Sequence, residues 1–353
     1  MIFATTRASR IAADVAAQRA STWLSQRSSA QLKHAAFLVG LSTTGTKPEL
    51  VSSLVQHVLN DRCDSRPRRI LSVDMGIRNL AYCLVEPRTH DHSEASPISS
   101  GLTVPIWRKR DLLQTSSGPE GANGPHKDGT SPSPVLAKAA VHAFTPSVLS
   151  ETAYSVTQEL LSCEPDVILI ERQRFRSGGA AAIQEWTVRV NMLESMLWAC
   201  LRALSKSSVG AEHGSPALYE VSPARVAQFW TARPGNLRLA EDTFEQASRE
   251  VGSTSAPTQR RARVQKKDKI AIVRSWLAGS DDVPLALTGE AAALGQVFSI
   301  PGGHRRAGHS EHDVGKLDDL ADCLLQAAAW TKWHENIVTL RDLLVKHDSD
   351  NRF

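Results

Sequence analysis

Short apolar runs bounded by turn residues alternate along the chain with longer stretches of helical spacing. Ile70-Leu-Ser-Val-Asp74 begins a buried strand, Gly76 and Asn79 mark a turn, and Leu80–Val85 returns as a second strand. Residues 101–107 make a third. A helix over 147–163 leads to a short apolar strand, Asp166–Glu171. Residues 180–206 predict a long amphipathic helix, because Ile183, Trp186, Val190, Leu193, Leu197 and Leu201 recur near helical spacing. Residues 217–222 form another strand, and helices are expected near 223–230, 266–278 and 317–336. A hairpin meander followed by alternating β and α units predicts an α/β fold with a mixed sheet and flanking helices.

Ahead of this region, 28–62 reads as a small helical module. Gln31, Leu32, Ala35, Ala36 and Leu38 give one short helix, and a turn through Gly45 leads to a second, with Pro48 tolerated in its first turn. Residues 61–69 form a linker into the main domain, 66–338. Stretches near 86–134, 232–262 and 279–313 read as insertions, and 339–353 as a C-terminal tail. Residues 1–27 carry Arg7, Arg10, Arg19 and Arg27 against one acid, Asp14, amid Ser, Thr and Ala. That composition fits a mitochondrial transit peptide, or else a disordered tail.

The bulk composition is ordinary for a soluble globular protein: 41% hydrophobic and 22% charged residues, with a formal net charge of +4. The basic residues cluster, as at Arg260, Arg261, Arg263, Lys266, Lys267 and Lys269, and such a cluster can meet a phosphate backbone. The five cysteines form no Cys-x-x-Cys pair, which argues against a zinc ribbon or a disulfide framework and fits a reducing compartment. His304, His309, His312 and Asp313 lie among Gly and Arg and read as a solvated loop.

Acids occupy three special places. Asp74 ends one apolar strand and Glu171 another, while Asp318, Asp319 and Asp322 open a helix. Neighbouring strands run about 5 Å apart, so their ends can bring carboxylates together. Asp318 and Asp322, or Asp319 and Asp322, share a helix face. Singly, each acid could be a turn former or a partner of the helix dipole. Together they would repel one another unless a divalent cation joins them, and oxygen ligands suit Mg²⁺ or Mn²⁺. Two such ions can activate water and stabilise the oxygen leaving a phosphodiester.

Five segments carry a resemblance. Val73-Asp-Met-Gly-Ile-Arg-Asn-Leu-Ala81, Ile170-Glu-Arg-Gln-Arg-Phe-Arg-Ser177, Val221-Ser-Pro-Ala-Arg-Val226, Lys266-Lys-Asp-Lys269 and Lys316-Leu-Asp-Asp-Leu-Ala-Asp322 resemble the fungal mitochondrial cruciform-cutting resolvases. That family is related to the bacterial RuvC resolvase. The resemblance implies a ribonuclease-H-like five-stranded mixed sheet and a homodimer that nicks four-way (Holliday) DNA junctions in the mitochondrial matrix, with Mg²⁺ or Mn²⁺, two ions per site. Asp74, Glu171 and Asp322 would be metal ligands, with Asp318 or Asp319 as the fourth. Arg172, Gln173, Arg174, Phe175 and Arg176, together with Lys266, Lys267 and Lys269, would meet DNA. The 28–62 module resembles a SAP domain, most specifically in Gly45-Thr-Lys-Pro-Glu-Leu50, which makes Lys47 a DNA contact. The long helix 180–206 is the expected dimer element. Neither a membrane nor a nucleotide cofactor is expected.

Three rival readings follow from the same residues. An ATPase of the actin and sugar-kinase fold also places Asp-x-Gly after a strand, as Asp74-Met-Gly76 does, but it needs a second such loop, and Asp313-Val-Gly315 has no strand before it. A non-catalytic junction-binding protein would not need all the acids. A ribonuclease H acting on RNA–DNA hybrids would share the chemistry.

Overall fold

The computed structural model describes residues 7–60, 69–88, 101–112, 144–173, 185–207, 215–232, 237–239, 244, 265–280, 282–299 and 317–350. The chain divides into two compact units. One comprises Pro67–Val221 and Ile270–Ala327, and the other Met1–Arg66, Ser222–Lys269 and Ala328–Phe353.

The first unit is built on a sheet. Strands β1 (Ile70–Asp74), β2 (Leu80–Pro87) and β3 (Leu102–Arg110) form an antiparallel meander. The β1–β2 turn is tight, since a Cβ on Gly76 would lie 3.1 Å from the carbonyl oxygen of Asn79. Strands β4 (Val167–Glu171) and β5 (Ala217–Val221) add in parallel beside β1. The meander and the parallel strands follow the order expected from the sequence, but the sheet has six strands, not five: β5-β4-β1-β2-β3-β6. The sixth, β6 (Leu285–Leu287), pairs in parallel with β3 inside the stretch expected to be an insertion. Three residues are too few to show an alternation, so nothing in the sequence distinguishes this strand from a loop.

Alternation along the strands assigns the two faces. Leu71, Val73, Tyr82, Leu84, Ile168 and Ile170 share a buried cluster with Ala153, Val156 and Leu160 of one helix (Pro146–Ser162) and Val190, Leu193, Leu197 and Leu201 of another (Glu185–Ser207). The other face carries Ser72 and Trp107, which bond to the start of a long helix (Leu317–Asp350): Gln326 donates to Ser72, and the Trp107 indole donates to the Leu320 carbonyl at 3.0 Å. The sheet is thus sandwiched between helices, with its strands near-continuously apolar because both faces are covered.

The second unit is helical. Its helices are Arg7–Ser25, Ser29–Leu38, Lys47–Asn60 and Pro223–Trp230, joined by the later part of the long helix, which runs through Asp350 over the stretch read as a tail. The stretch read as a transit peptide or tail therefore contains a helix, and its Ala20 and Leu24 lie in the same buried cluster as Leu32, Leu54 and Leu340. Ser28 and Gln31 form a reciprocal capping box that starts the second helix. Asn336, only 4% exposed, donates to the carbonyls of Leu38 and Leu237 and accepts from the Leu239 amide. One buried amide therefore closes three backbone groups that would otherwise be costly to bury. Among the described residues, no helix is long and apolar enough to cross a membrane.

Candidate active site

Strand parity puts the acids on one face. In β1, Leu71 and Val73 point into the cluster beneath the two helices, so Ser72 and Asp74 point the other way. In β4, Ile168 and Ile170 do the same, so Leu169 and Glu171 point with Asp74. The strands are parallel, and Asp74 and Glu171 follow directly on the Val73–Ile170 pair. Their carboxyls share a hydrogen bond.

The long helix brings the remaining acids. Asp74 is held well above the usual carboxylate range. Burial is the largest cause, followed by the charges of Glu171 and Asp322, the hydrogen bond with Glu171, and the charge of Asp319. The groups acting on Asp74 thus come from β4 and from positions 319 and 322, which share a helix face. Asp318, which also shares a helix face with Asp322, is buried at 8% exposure.

This donor set fits a hard divalent cation. All its atoms are carboxylate oxygens, and the repulsion that favours a proton on Asp74 is what a cation would relieve. Among the described residues, no three His, Cys, Asp or Glu side chains close into a ready-made metal cage, so the acids form an open cluster.

Gln326 lies one helical turn beyond Asp322 and is 3% exposed. Its amide donates to Ser72 Oγ at 3.0 Å and to the carbonyls of Val73 and Leu169 at 3.4 Å. It ties the helix to both acid-bearing strands, two residues before each strand's carboxylate. Lys109 of β3 reaches Asp319 Oδ2 at 3.8 Å. Sequence reasoning missed both residues. The one signal for Lys109 was Trp107-Arg-Lys-Arg110, where a period of two puts Lys109 on the face of Trp107.

The expected DNA contacts are scattered. Arg172 pairs with Glu220 at 3.0 Å, both side chains half exposed. Gln173 donates to the Met75 carbonyl at 3.3 Å, joining the segment after β4 to the one after β1 beside the acids. Arg174, Phe175 and Arg176 lie outside the described residues, as do the three histidines of the 301–316 segment. Lys47, Lys266, Lys267 and Lys269 belong to the helical unit, with Lys47, Lys266 and Lys267 exposed and Lys269 half-buried. Lys47 opens the helix Lys47–Asn60, and the other three open the helix Lys266–Leu277.

Fold and site together define an α/β protein whose acids close two central strands beside the start of a long helix, an arrangement suited to a cation. The chain belongs to the family described as mitochondrial resolvase Ydc2 / RNA splicing MRS1, whose model matches residues 70–340. It is 27% identical over 312 residues to the mitochondrial cruciform cutting endonuclease 1 of Schizosaccharomyces pombe, covering 88% of this chain and 94% of that protein. To the Saccharomyces cerevisiae protein of the same name it is 22% identical over 341 residues, covering 90% and 84%. The crystal structure of the yeast mitochondrial Holliday junction resolvase Ydc2 has the same fold, with a TM-score of 0.53, 24% identity and coverage of 91% of this chain and 99% of that one.

Proposed function

We propose that this chain is a metal-dependent endonuclease of the ribonuclease-H-like class that resolves four-way DNA junctions by paired nicks. One observation carries the reading: Glu171, Asp322 and Asp319 all bear on Asp74, whose carboxyl is held well above the usual carboxylate range. The relatives' names supply the substrate, a cruciform or Holliday junction, and the compartment, the mitochondrion. We place the protein in the matrix, with 1–27 as its targeting segment.

A bound divalent ion, Mg²⁺ or in its place Mn²⁺, with four carboxylates enough for two, would neutralise phosphate charge and acidify a water. The chain's own residues do the rest. Asp74, Glu171, Asp319 and Asp322 would hold the ions, and Gln326 fixes the spacing between the elements that carry them. Hydrolysis adds a hydroxyl to phosphorus and breaks the bond to the 3′ oxygen, which leaves with a proton. Arg172, Gln173, Arg174, Phe175 and Arg176 follow Glu171 directly and position the strand to be cut, since most protein–DNA hydrogen bonds go to phosphate and sugar. Lys266, Lys267, Lys269 and, in a SAP-like module, Lys47 add backbone contacts. A second copy of the chain supplies the second nick, because a junction has two opposed strands to cut.

The family description also names an RNA splicing protein. A protein that only binds nucleic acid has no use for four mutually repelling carboxylates, which favours the nuclease. The test is a labelled four-way junction beside a matching duplex, with Mg²⁺ or EDTA. Symmetric nicks on the junction alone, lost in EDTA and in Asp74→Asn, are expected. Tight junction binding without nicks, even in Mn²⁺, would favour a binding protein.

A further inference from the structure

Lys109 shares a row with the acids. Asp74 of β1 pairs with Ala81 of β2, and Ala81 pairs with Lys109 of β3. Directly opposed residues point to one face, so all three side chains stand on the acid-bearing side of the sheet. Ala81, fully buried, puts only a methyl group between them. The Lys109 ammonium lies 3.8 Å from Asp319 Oδ2, and the two side chains are only 17% and 19% exposed. Two residues earlier on the same face, the Trp107 indole donates to the carbonyl of Leu320, the residue after Asp319. That bond fixes β3 against the helix beside the ion pair. Neighbouring Arg108 and Arg110 point the other way and engage Glu290 and Glu159.

We propose that Lys109 is the resident counter-cation of the carboxylate cluster, a positioning residue that offsets the repulsion among Asp74, Glu171, Asp319 and Asp322 before a metal ion arrives and opposes the ion once it binds. The proposal rests on the nuclease reading for the identity of the incoming ion. A lysine this poorly exposed loses hydration, and an ordinary ion pair returns little against that loss. Asp319 returns more than a lone partner would, because it also bears on the Asp74 carboxyl and a cation beside it offsets that repulsion. The same charge repels a divalent ion at the same place. Lys109 therefore keeps the empty site intact at the cost of metal affinity.

Two measurements on the full chain test this: Mn²⁺ affinity by calorimetry without DNA, and thermal melting in EDTA. For Lys109→Met, Mn²⁺ is expected to bind about tenfold tighter, the effect of removing one charge several ångströms from a divalent ion. The variant should also melt lower than wild type in EDTA, with the gap closing at saturating Mn²⁺. Lys109→Arg should restore both values toward wild type. A merely structural lysine would lower stability without tightening metal binding, so an unchanged or weaker Mn²⁺ affinity in a folded Met variant overturns the proposal. Should that variant not fold, Lys109→Gln is read in the same two ways. If wild type takes up no Mn²⁺, the metal-dependent reading of the protein fails, and melting in EDTA decides Lys109 alone. Its loss must then cost less in an Asp319→Asn background, and an equal cost in both backgrounds overturns the role.

Discussion

The amide of Gln326 and the hydroxyl of Ser72 meet at 3.0 Å in the interior of the sheet unit, where both residues are buried. Ser72 lies two residues before Asp74, and Gln326 four residues after Asp322. The bond therefore sets the distance between a strand carboxylate and a helix carboxylate. Replacing Gln326 by Leu removes the buried amide that donates to the Ser72 hydroxyl, at a cost of about 1–3 kcal/mol. Urea unfolding should register that loss. Single-turnover junction cleavage should fall about tenfold, since small misplacements of reacting groups are expensive. Junction binding in EDTA should stay near wild type, which separates a spacing defect from lost DNA contacts.

Asp74→Asn is expected to stabilise the metal-free protein while abolishing cleavage. The folded carboxyl of Asp74 is raised above its unfolded value, so the folded state holds a proton the unfolded chain releases. The sign follows: this group favours folding at low pH, and stability declines as pH rises from the unfolded carboxylate range through the folded value. In EDTA, wild type should therefore lose melting temperature across that window more steeply than Asp74→Asn. Saturating Mg²⁺ should reverse the order at neutral pH, because the ion binds the folded state only. A variant no more stable than wild type in EDTA would show that Asp74 carries no such strain.

The adjacent acids differ in their surroundings. Asp319 acts on Asp74 and pairs with Lys109, while Asp318 is buried one residue away. Cleavage by Asp319→Asn and Asp322→Asn should drop a hundredfold or more, roughly the value of charge stabilisation at a metal-assisted phosphoryl centre. Asp318→Asn should keep activity within several-fold once its melting curve confirms folding. The reverse ranking would assign the metal position to Asp318.

Much of this site is legible in the sequence alone. Asp74 and Glu171 each close an apolar run, and counting by two from Leu71 or Ile168 puts them on the opposite face from the buried cluster. What the sequence could not decide depends on tertiary placement. Asp318 and Asp319 both share a helical face with Asp322, and only the rotation of that helix against the sheet selects one. Lys109 becomes visible only when the β1–β2–β3 register is known, because 35 positions separate it from Asp74 in the chain. β6 owes its existence to the open edge of β3, not to any pattern in Leu-Ala-Leu. The long helix continues past its expected end at 336 to Asp350, because Leu340 and Leu343 are buried in the cluster of the helical unit.

Gly40 ends the turn after the second helix with φ of 73°, and a Cβ there would come within 2.5 Å of the Trp333 ring. Gly40→Ala meets two separate penalties. The left-handed backbone alone costs about 1–2 kcal/mol, and the indole is held by edge contact with Phe229. Gly279 also has positive φ, at 92°, but a Cβ there meets nothing within 4 Å. Gly279→Ala should thus lower the melting temperature less than Gly40→Ala. Equal losses at both positions would mean that the Trp333 contact adds nothing to the backbone cost.

The helix Glu185–Ser207 buries Val190, Leu193, Leu197 and Leu201 within its own unit, which accounts for one of its faces. Val188, Ala199 and Ala203 remain exposed and Met192 half-buried at spacings of four, seven and four residues, a second stripe of small and apolar side chains. Such a stripe lets two helices approach closely, and a two-fold pair of chains needs one self-complementary patch. Val188→Asp and Ala199→Arg should convert the proposed dimer to a monomer by light scattering, with melting little changed because both positions are exposed. Paired nicks on a junction should then give way to single, uncoupled ones. Variants that remain dimeric would move the interface to another surface and leave the helix with a single packing role.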